Sequence, residues 1–295
     1  MSSIAVFGLG GFLGNPVLES LQQAPFADKV KFPILAVTRD TSKYTSTDKV
    51  KYIEGDVVND RDAVIKELQG VDVIVELVGP DPSVFAATEK VAAAVKPKLY
   101  IPSQFGVDIA QSQSTLPGFL GLKTDHSTKL RDAGLKVVDI VTGLFGDKDS
   151  FVTHTSAIVG VDESAKKVTY LGSPKNHFSY TILSDIGKTV AAAAVSPNPS
   201  ELPDLLRVNS GTISQEELVA KFEAAKSVKL GVKEVSAEEA LAEAKKVWAE
   251  GFNGNKFLYY LQVLISQGKE KGLWFGDNDN DVVNPSGSAW KWTTV

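Results

Sequence analysis

Residues 8–14 read Gly-Leu-Gly-Gly-Phe-Leu-Gly, directly behind the apolar run Ile-Ala-Val-Phe at 4–7 and ahead of a helical pattern at 16–22. Between a strand and a helix, such a turn presents unpaired backbone N–H groups and the positive end of the helix dipole, and its glycines let a pyrophosphate come close. The pattern therefore predicts a dinucleotide-binding turn. The alternative is a tight strand-to-helix turn that holds no ligand.

Apolar strands and amphipathic helices continue to alternate after this turn, which favours βαβ units and a parallel sheet. The predicted strands that follow residues 4–7 are 32–37, 50–53, 73–77, 98–101 and 136–141. The predicted helices between them are 60–68, 83–95 and 123–133. Right-handed crossovers then predict an α/β fold of the Rossmann type, a doubly wound parallel sheet ordered 3-2-1-4-5-6. Its ligand crevice lies where the order reverses, between strands one and four.

The regular alternation stops near Asp147. We therefore expect a dinucleotide-binding domain at residues 1–146 and a smaller α+β substrate domain at 147–295, parts of which can return to the first domain's sheet. Two helix starts in the second half carry capping boxes, at Ser214 with Glu217 and at Ser236 with Glu239. These boxes are structural features, and we assign them no function.

Composition excludes several classes of function. The 295 residues carry 31 Lys and Arg against 36 Asp and Glu, so the net charge of −5 predicts neither a nucleic-acid nor a membrane partner. The chain has no cysteine and three scattered histidines, which excludes thiolate chemistry and predicts no metal site. No apolar run is long enough to span a bilayer and no signal peptide is visible, so the expected location is the cytoplasm.

The end of the second strand decides which dinucleotide is preferred, because an acidic residue there would bind the ribose 2′-hydroxyl and repel a 2′-phosphate. The chain has Arg39 at this place, and Lys43 adds a second positive charge. A guanidinium binds phosphate in bidentate fashion, so we predict NADPH as the cofactor. Two alternatives stay open: Arg39 in a solvated surface turn, or Asp40 nearest the ribose after a small shift of register.

The carboxyl ends of the next strands should lie at the same edge of the sheet. Asp56 and Val57 follow the third strand, near the expected adenine, while Val78 and Gly79 follow the fourth, near the middle of the cofactor. Each pair alone is also what an ordinary strand-end turn looks like.

The Tyr-x-x-x-Lys pair that polarises the carbonyl in most short-chain reductases is absent. No tyrosine is followed by a lysine four residues later, and Phe119 stands where the tyrosine before Lys123 would be. Another group must therefore protonate the substrate.

Residues 100–108 read Tyr-Ile-Pro-Ser-Gln-Phe-Gly-Val-Asp, with Lys123 and a helix ending at Gly134 further on. This block resembles the Pro-Ser-Glu-Phe-Gly-x-Asp signature of isoflavone reductases, phenylcoumaran benzylic ether reductases and pinoresinol–lariciresinol reductases. These enzymes belong to the NmrA-like atypical short-chain reductases. The Gly8-x-x-Gly11-x-x-Gly14 spacing is similar to theirs, and Asp185-Ile186-Gly187 resembles a late helix of the family.

The resemblance implies that Lys123 is the catalytic acid/base and that a nicotinamide hydride goes to an aromatic, benzylic or conjugated carbon. A desolvated lysine beside oxidised nicotinamide should have its pKa lowered from about 10.4 toward neutrality. The alternative is a surface lysine on a helix. The expected cofactor-binding residues are Gly8, Gly10, Gly11, Phe12, Leu13, Gly14, Arg39, Lys43, Asp56, Val57, Val78, Gly79, Pro102, Ser103, Phe105 and Lys123.

The expected substrate wall is a set of mostly aromatic side chains, which can equally be core: Phe105, Leu144, Phe145, Phe151, His154, Phe178 and Tyr180. Gln104 replaces the family's usual Glu, and its amide can keep the hydrogen bonds but not the charge. His126 lies three residues after Lys123, on the same helical face, as either a proton relay or a capping or surface histidine.

These expectations describe an NADPH-dependent reductase of a small aromatic or conjugated molecule, as a monomer or homodimer. The alternative is an NmrA-like regulator that binds dinucleotide to sense redox state without catalysis. A sugar-nucleotide-modifying reductase is a third reading, against which the absent Tyr-x-x-x-Lys pair argues.

Overall fold

Parallel strands form the centre of the N-terminal half in this computed structural model, which describes residues 1–295. The strands of this half are β1 (Ile4–Phe7), β2 (Ile34–Thr38), β3 (Val50–Glu54), β4 (Val73–Glu76), β5 (Leu99–Ile101) and β6 (Asp139–Val141). Five of them form one parallel sheet ordered β3-β2-β1-β4-β5. The order reverses between β1 and β4, which confirms the predicted Rossmann-type α/β topology.

Helices cover both faces of this sheet. They are α1 (Gly14–Leu21), α2 (Arg61–Glu67), α3 (Pro82–Val95) and α5 (Gly121–Asp132). The short helix α4 (Ile109–Ser112) lies in the chain between β5 and α5. Along β1, Ile4 and Val6 enter the core under α1, whereas Ala5 and Phe7 enter the core under α2 and α3. This alternation is the period of two that a strand requires when both of its faces are buried.

The second half builds smaller sheets and more helices. Its strands are β7 (Leu144–Gly146), β8 (Val161–Asp162), β9 (Lys167–Leu171), β10 (His177–Ile182), β11 (Leu205–Arg207), β12 (Gly211–Ser214) and β13 (Gly231–Val235). Its helices are α6 (Phe151–Ser156), α7 (Leu183–Ala194), α8 (Gln215–Lys226), α9 (Ala237–Ala249), α10 (Phe257–Ser266) and α11 (Asn280–Val283). The three-stranded sheets β12-β10-β7 and β13-β9-β8 surround a second hydrophobic core.

The sixth strand joins the central sheet through a single bridge between Tyr100 and Val137. It is shorter than predicted, because only Asp139–Val141 forms a ladder, and its partner there is β11 from the second half. The order 3-2-1-4-5-6 is thus confirmed and extended by one strand.

Helix α7 packs across α1, and its residues Ile186 and Val190 share the first core with Val17. Gly187 makes this crossing close, since a Cβ there would lie 2.1 Å from the Pro16 carbonyl oxygen. The domain boundary at 146/147 stays a prediction. None of the helices combines the length and the hydrophobicity that crossing a bilayer requires.

Candidate active site

The glycine turn at residues 8–14 runs from β1 directly into α1. Gly8 has a φ of +85°, and a Cβ there would lie 2.7 Å from the Leu77 carbonyl oxygen. A Cβ on Gly14 would lie 1.8 Å from the Leu9 carbonyl oxygen. Since neither position has room for a side chain, both glycines are required by the backbone path itself.

Five backbone N–H groups of this turn donate to no other group of the protein. They belong to Gly8, Leu9, Gly10, Phe12 and Leu13, while the N–H groups of Gly11 and Gly14 donate to the carbonyls of Gly8 and Gly11. Unpaired N–H groups at the N-terminus of α1 form an anion-binding arrangement. The turn therefore fits a pyrophosphate in both space and hydrogen bonding.

The segment after β2 carries the positive charges. Arg39 is exposed, and Lys43 Nζ lies 3.3 Å from Asp40 Oδ2. The Asp40 carboxylate bonds to neighbours in its own segment, because it also accepts hydrogen bonds from the N–H and the hydroxyl of Ser42. Tyr44, next in this segment, stacks on Tyr52 with 4.6 Å between ring centroids.

Asp56 and Val57 follow β3 and are half-buried. Hydrogen bonds from the Val58 N–H and the Asn59 amide lower the pKa of Asp56, and the charge of Arg39 adds to this effect. Val78 and Gly79 follow β4, and Val78 lies against the glycine turn, where a Cβ on Gly8 would be 3.1 Å from its nitrogen. The ends of β1 to β4 therefore meet at one edge, as predicted.

Lys123 and Gln104 hold each other through two opposed hydrogen bonds. Lys123 Nζ donates to the Gln104 carbonyl oxygen at 2.7 Å, and Gln104 Nε2 donates to the Lys123 carbonyl oxygen at 2.7 Å. The same amide donates to Ser127 Oγ at 2.7 Å. A glutamate carboxylate has no proton to donate to these oxygens, so only Gln, and not the family's usual Glu, can form the hydrogen bonds made by this amide.

The ammonium group of Lys123 is well placed to exchange a proton near neutral pH. Burial lowers the pKa of Lys123 to about 8, and the negative charge of Glu76 opposes this effect. One of its three protons is taken by Gln104, which leaves two for another acceptor. Pro102, Ser103 and Phe105 flank Gln104 along the chain, in the buried loop after β5.

Phe12 and Phe145 connect the glycine turn to the second half. Their ring centroids lie 6.1 Å apart, and Phe12 is 56% exposed. Phe145 also lies next to Gly106, since a Cβ there would be 3.7 Å from its ring. An aromatic surface therefore borders the turn and the loop that bears Gln104.

Most other residues of the expected substrate wall do not reach an open surface. Phe105 and Leu144 are almost fully buried, and His154 is exposed on α6. Phe151, Phe178 and Tyr180 lie inside the second core, where Phe151 and Tyr180 pack 5.0 Å apart. These residues therefore belong to the core and do not line a substrate site, because packed rings with no accessible surface cannot contact a substrate.

The sequence reasoning missed two carboxylates near Lys123. Glu76 ends β4 and is fully buried, and Glu89 lies on α3. His126 bonds both of them and is 1% exposed in the middle of α5, which excludes the capping and surface roles. The signal for Glu76 was an acidic residue inside the apolar run VDVIVELVG at 71–79.

Comparisons with known proteins identify the family of this chain and support its fold. Residues 1–264 match the model of the NmrA-like family. The chain is 24% identical over 242 residues to isoflavone reductase homolog P3 of Arabidopsis thaliana, covering 75% of this chain and 74% of that protein.

Two solved structures share the fold. A leucoanthocyanidin reductase–NADPH complex from Vitis vinifera superposes with a TM-score of 0.68 at 17% identity, covering 90% of this chain and 87% of that one. A structure from a study of pinoresinol-lariciresinol and phenylcoumaran benzylic ether reductases gives 0.70 at 16% identity, covering 92% and 89%. With a family model that matches nearly its whole length, this chain belongs to the NmrA-like family.

Proposed function

We propose that the protein is an NADPH-dependent reductase of a small aromatic or conjugated molecule, with Lys123 as general acid/base. The observation that carries the proposal is a half-buried lysine whose ammonium donates to the carbonyl of Gln104 in the loop after β5. Burial there lowers the pKa of Lys123 to about 8. A structurally similar leucoanthocyanidin reductase binds NADPH. The isoflavone reductase homolog from Arabidopsis supports the same reaction class.

The glycine turn would hold the pyrophosphate through the N–H groups of Gly10, Phe12 and Leu13. Arg39 would bind the 2′-phosphate, with Lys43 adding positive charge. Asp56 and Val57 would lie by the adenine, and Val78 and Gly79 by the middle of the cofactor. NADPH, when bound, supplies the hydride.

The chain's own residues would handle the proton. As the substrate carbon gains a hydride, the electron pair that it displaces makes an adjacent atom basic, and Lys123 Nζ gives that atom its proton. Gln104 keeps the ammonium in place by accepting one of its hydrogen bonds. Phe12 and Phe145 would offer an aromatic substrate a surface on which to stack.

A redox-sensing regulator of the same family is the second candidate. A sensor needs the glycine turn and Arg39, but it needs no proton donor. The hydrogen bonds between Lys123 and Gln104 hold a proton donor in place, and this favours the enzyme.

The test is a search for turnover. NADPH oxidation is followed at its absorbance band with aromatic aldehydes, enones and benzylic ethers, and products are identified by mass spectrometry. We expect reduction of at least one of these classes, with NADPH preferred over NADH. Tight NADPH binding without turnover of any class would contradict the enzyme and support the sensor.

A further inference from the structure

Near Lys123, a buried imidazole lies between two carboxylates. His126 Nε2 is 3.0 Å from Glu76 Oε2, and His126 Nδ1 is 2.9 Å from Glu89 Oε1. The three residues come from α5, β4 and α3, so this Glu76–His126–Glu89 cluster joins three elements. Glu89 alone reaches solvent, with 17% of its side chain exposed.

Neither metal binding nor fold stability explains the cluster. The carboxylates lie on opposite sides of the ring and do not converge on one point, and no group of residues in the protein is arranged to hold a metal ion. Buried ion pairs are also poor sources of stability, because desolvation cancels most of their attraction. A set of apolar side chains would fill this space at least as well.

The Glu76 carboxylate is held in one position. Its Oε1 accepts a hydrogen bond from the Thr88 hydroxyl at 2.8 Å, and the Ser103 N–H donates to Oε2 at 3.4 Å. The His126 ring stacks on Phe85 with 4.2 Å between ring centroids. Burial lowers the pKa of His126, but hydrogen bonds and charge from Glu76 and Glu89 outweigh burial and raise it.

The cluster is adjacent to the proposed acid. His126 lies one helical turn after Lys123, and Ser103 directly precedes Gln104, whose carbonyl accepts from Lys123 Nζ. Lys129 of α5 approaches Glu89 at 3.8 Å. The titratable groups that face this region from β4, α3, β5 and α5 are Glu76, Glu89, Tyr100, His126 and Lys129.

We propose that Glu76 is a positioning residue whose negative charge keeps Lys123 in its ammonium form, and that His126, braced by Glu89, holds the Glu76 carboxylate in place. The inference rests on the proposed role of Lys123 as proton donor. In this role the cluster sets the upper pH limit of the reduction. Glu76 itself touches no substrate.

The test compares Glu76→Gln with Glu89→Gln in the full-length protein. The Gln amide can accept from Thr88 and donate to a neutral His126, so Glu76→Gln removes the charge and keeps the shape. We expect the fall of kcat/KM at high pH to move about one pH unit toward acid, the lower end of what a nearby opposite charge does. Glu89→Gln removes a carboxylate from the far side of His126. It should leave the pH at which kcat/KM falls the same as in the wild type.

A second readout does not depend on turnover. Trace labelling with acetic anhydride, read by mass spectrometry on the peptide that contains Lys123, follows the free amine as pH rises. Labelling of Lys123 should begin at lower pH in Glu76→Gln than in the wild type, with the exposed Lys233 as internal reference. If Glu76→Gln does not fold, Glu76→Met, which is similar in length and uncharged, serves in its place.

The outcomes separate the two proposals. A shifted labelling profile in a protein without turnover would support the charge relation and contradict the proposed function. The inference would be overturned if Glu76→Gln turned over substrate with an unchanged pH limit and an unchanged labelling profile of Lys123. The proposed reductase function would still stand in that case. An equal shift in Glu89→Gln would also overturn it, because the effect would then belong to the cluster's total charge.

Discussion

Lys123 is the residue on which the chemistry depends, and its ionisation predicts a pH profile. Burial lowers its pKa to about 8, with Glu76 opposing. The reduction needs the ammonium form, so kcat/KM should be level below pH 8 and should fall about tenfold per pH unit above it. Steady-state kinetics at saturating NADPH check this. Reduction that accelerates above pH 8 would mean that the free amine is the active form.

Arg39 predicts the cofactor preference. Replacing it with Gln removes charge-assisted hydrogen bonds to a 2′-phosphate, each worth about 1.5–3 kcal/mol. The Kd for NADPH should rise about ten- to a hundredfold, while the Kd for NADH stays the same. Titration calorimetry measures both, with Arg61→Gln on α2 as the matched control. Equal losses for both dinucleotides would place Arg39 away from the 2′-position.

Single residues differ in how far a sequence predicts them. The glycines and Lys123 stand in recognisable spacings, and Gln104 is visible as a departure from a signature. The partners of His126 are not visible, because Glu76 and Glu89 lie 50 and 37 residues away along the chain. Only the packing of three elements brings them together.

At the scale of elements, the glycine turn predicts a stability contrast. Gly14→Ala places a Cβ 1.8 Å from the backbone oxygen of Leu9, whereas Gly10→Ala meets only the Tyr44 hydroxyl, the far end of a side chain that can rotate. Gly14→Ala should lower the free energy of unfolding by about 3 kcal/mol or more, and Gly10→Ala by less than about 1 kcal/mol.

Urea denaturation of the two variants measures this contrast. Similar losses in both would show that the turn can relax as a whole. An unchanged stability for Gly14→Ala would contradict the backbone path described above.

Local patterns predicted the elements of the first half to within two or three residues at most ends. Apolar runs and helical periodicity located β1 to β5 and α1, α2, α3 and α5. Strand β6 was predicted three residues too long, because the predicted strand at 136–141 begins three residues before the first ladder residue, Asp139. The capping box at Ser214 is complete, but at Ser236 only the hydroxyl bond to the Glu239 N–H forms.

At the scale of the whole molecule, the crossing of α7 over α1 joins the two halves. A Cβ on Gly187 would lie 2.1 Å from the Pro16 oxygen, so Gly187→Ala must push the helices apart. We expect a loss of about 3 kcal/mol or more in the free energy of unfolding, since backbone on both sides must move. Gly254→Ala, with its nearest atom 3.9 Å away, is the control and should change little.

The arrangement of the second half was less predictable than that of the first. Its strands are short and pair with partners far along the chain, as β7 does with β10 and β6 with β11. Aromatic residues there pack into the second core. A sequence pattern alone cannot distinguish aromatic residues that fill a core from those that line a ligand site. The return of α7 and β11 to the first half follows from tertiary packing alone.

The role of Lys123 is tested most sharply by comparing turnover of Lys123→Met with that of Lys129→Met, with NADPH binding measured for both. We expect Lys123→Met to lose about a hundred- to ten-thousandfold in kcat while its Kd for NADPH stays within about threefold of wild type. Lys129→Met, on the same helix and 60% exposed, should behave as wild type. A Lys123→Met protein that reduces its substrate at the wild-type rate would show that Lys123 is not the proton donor.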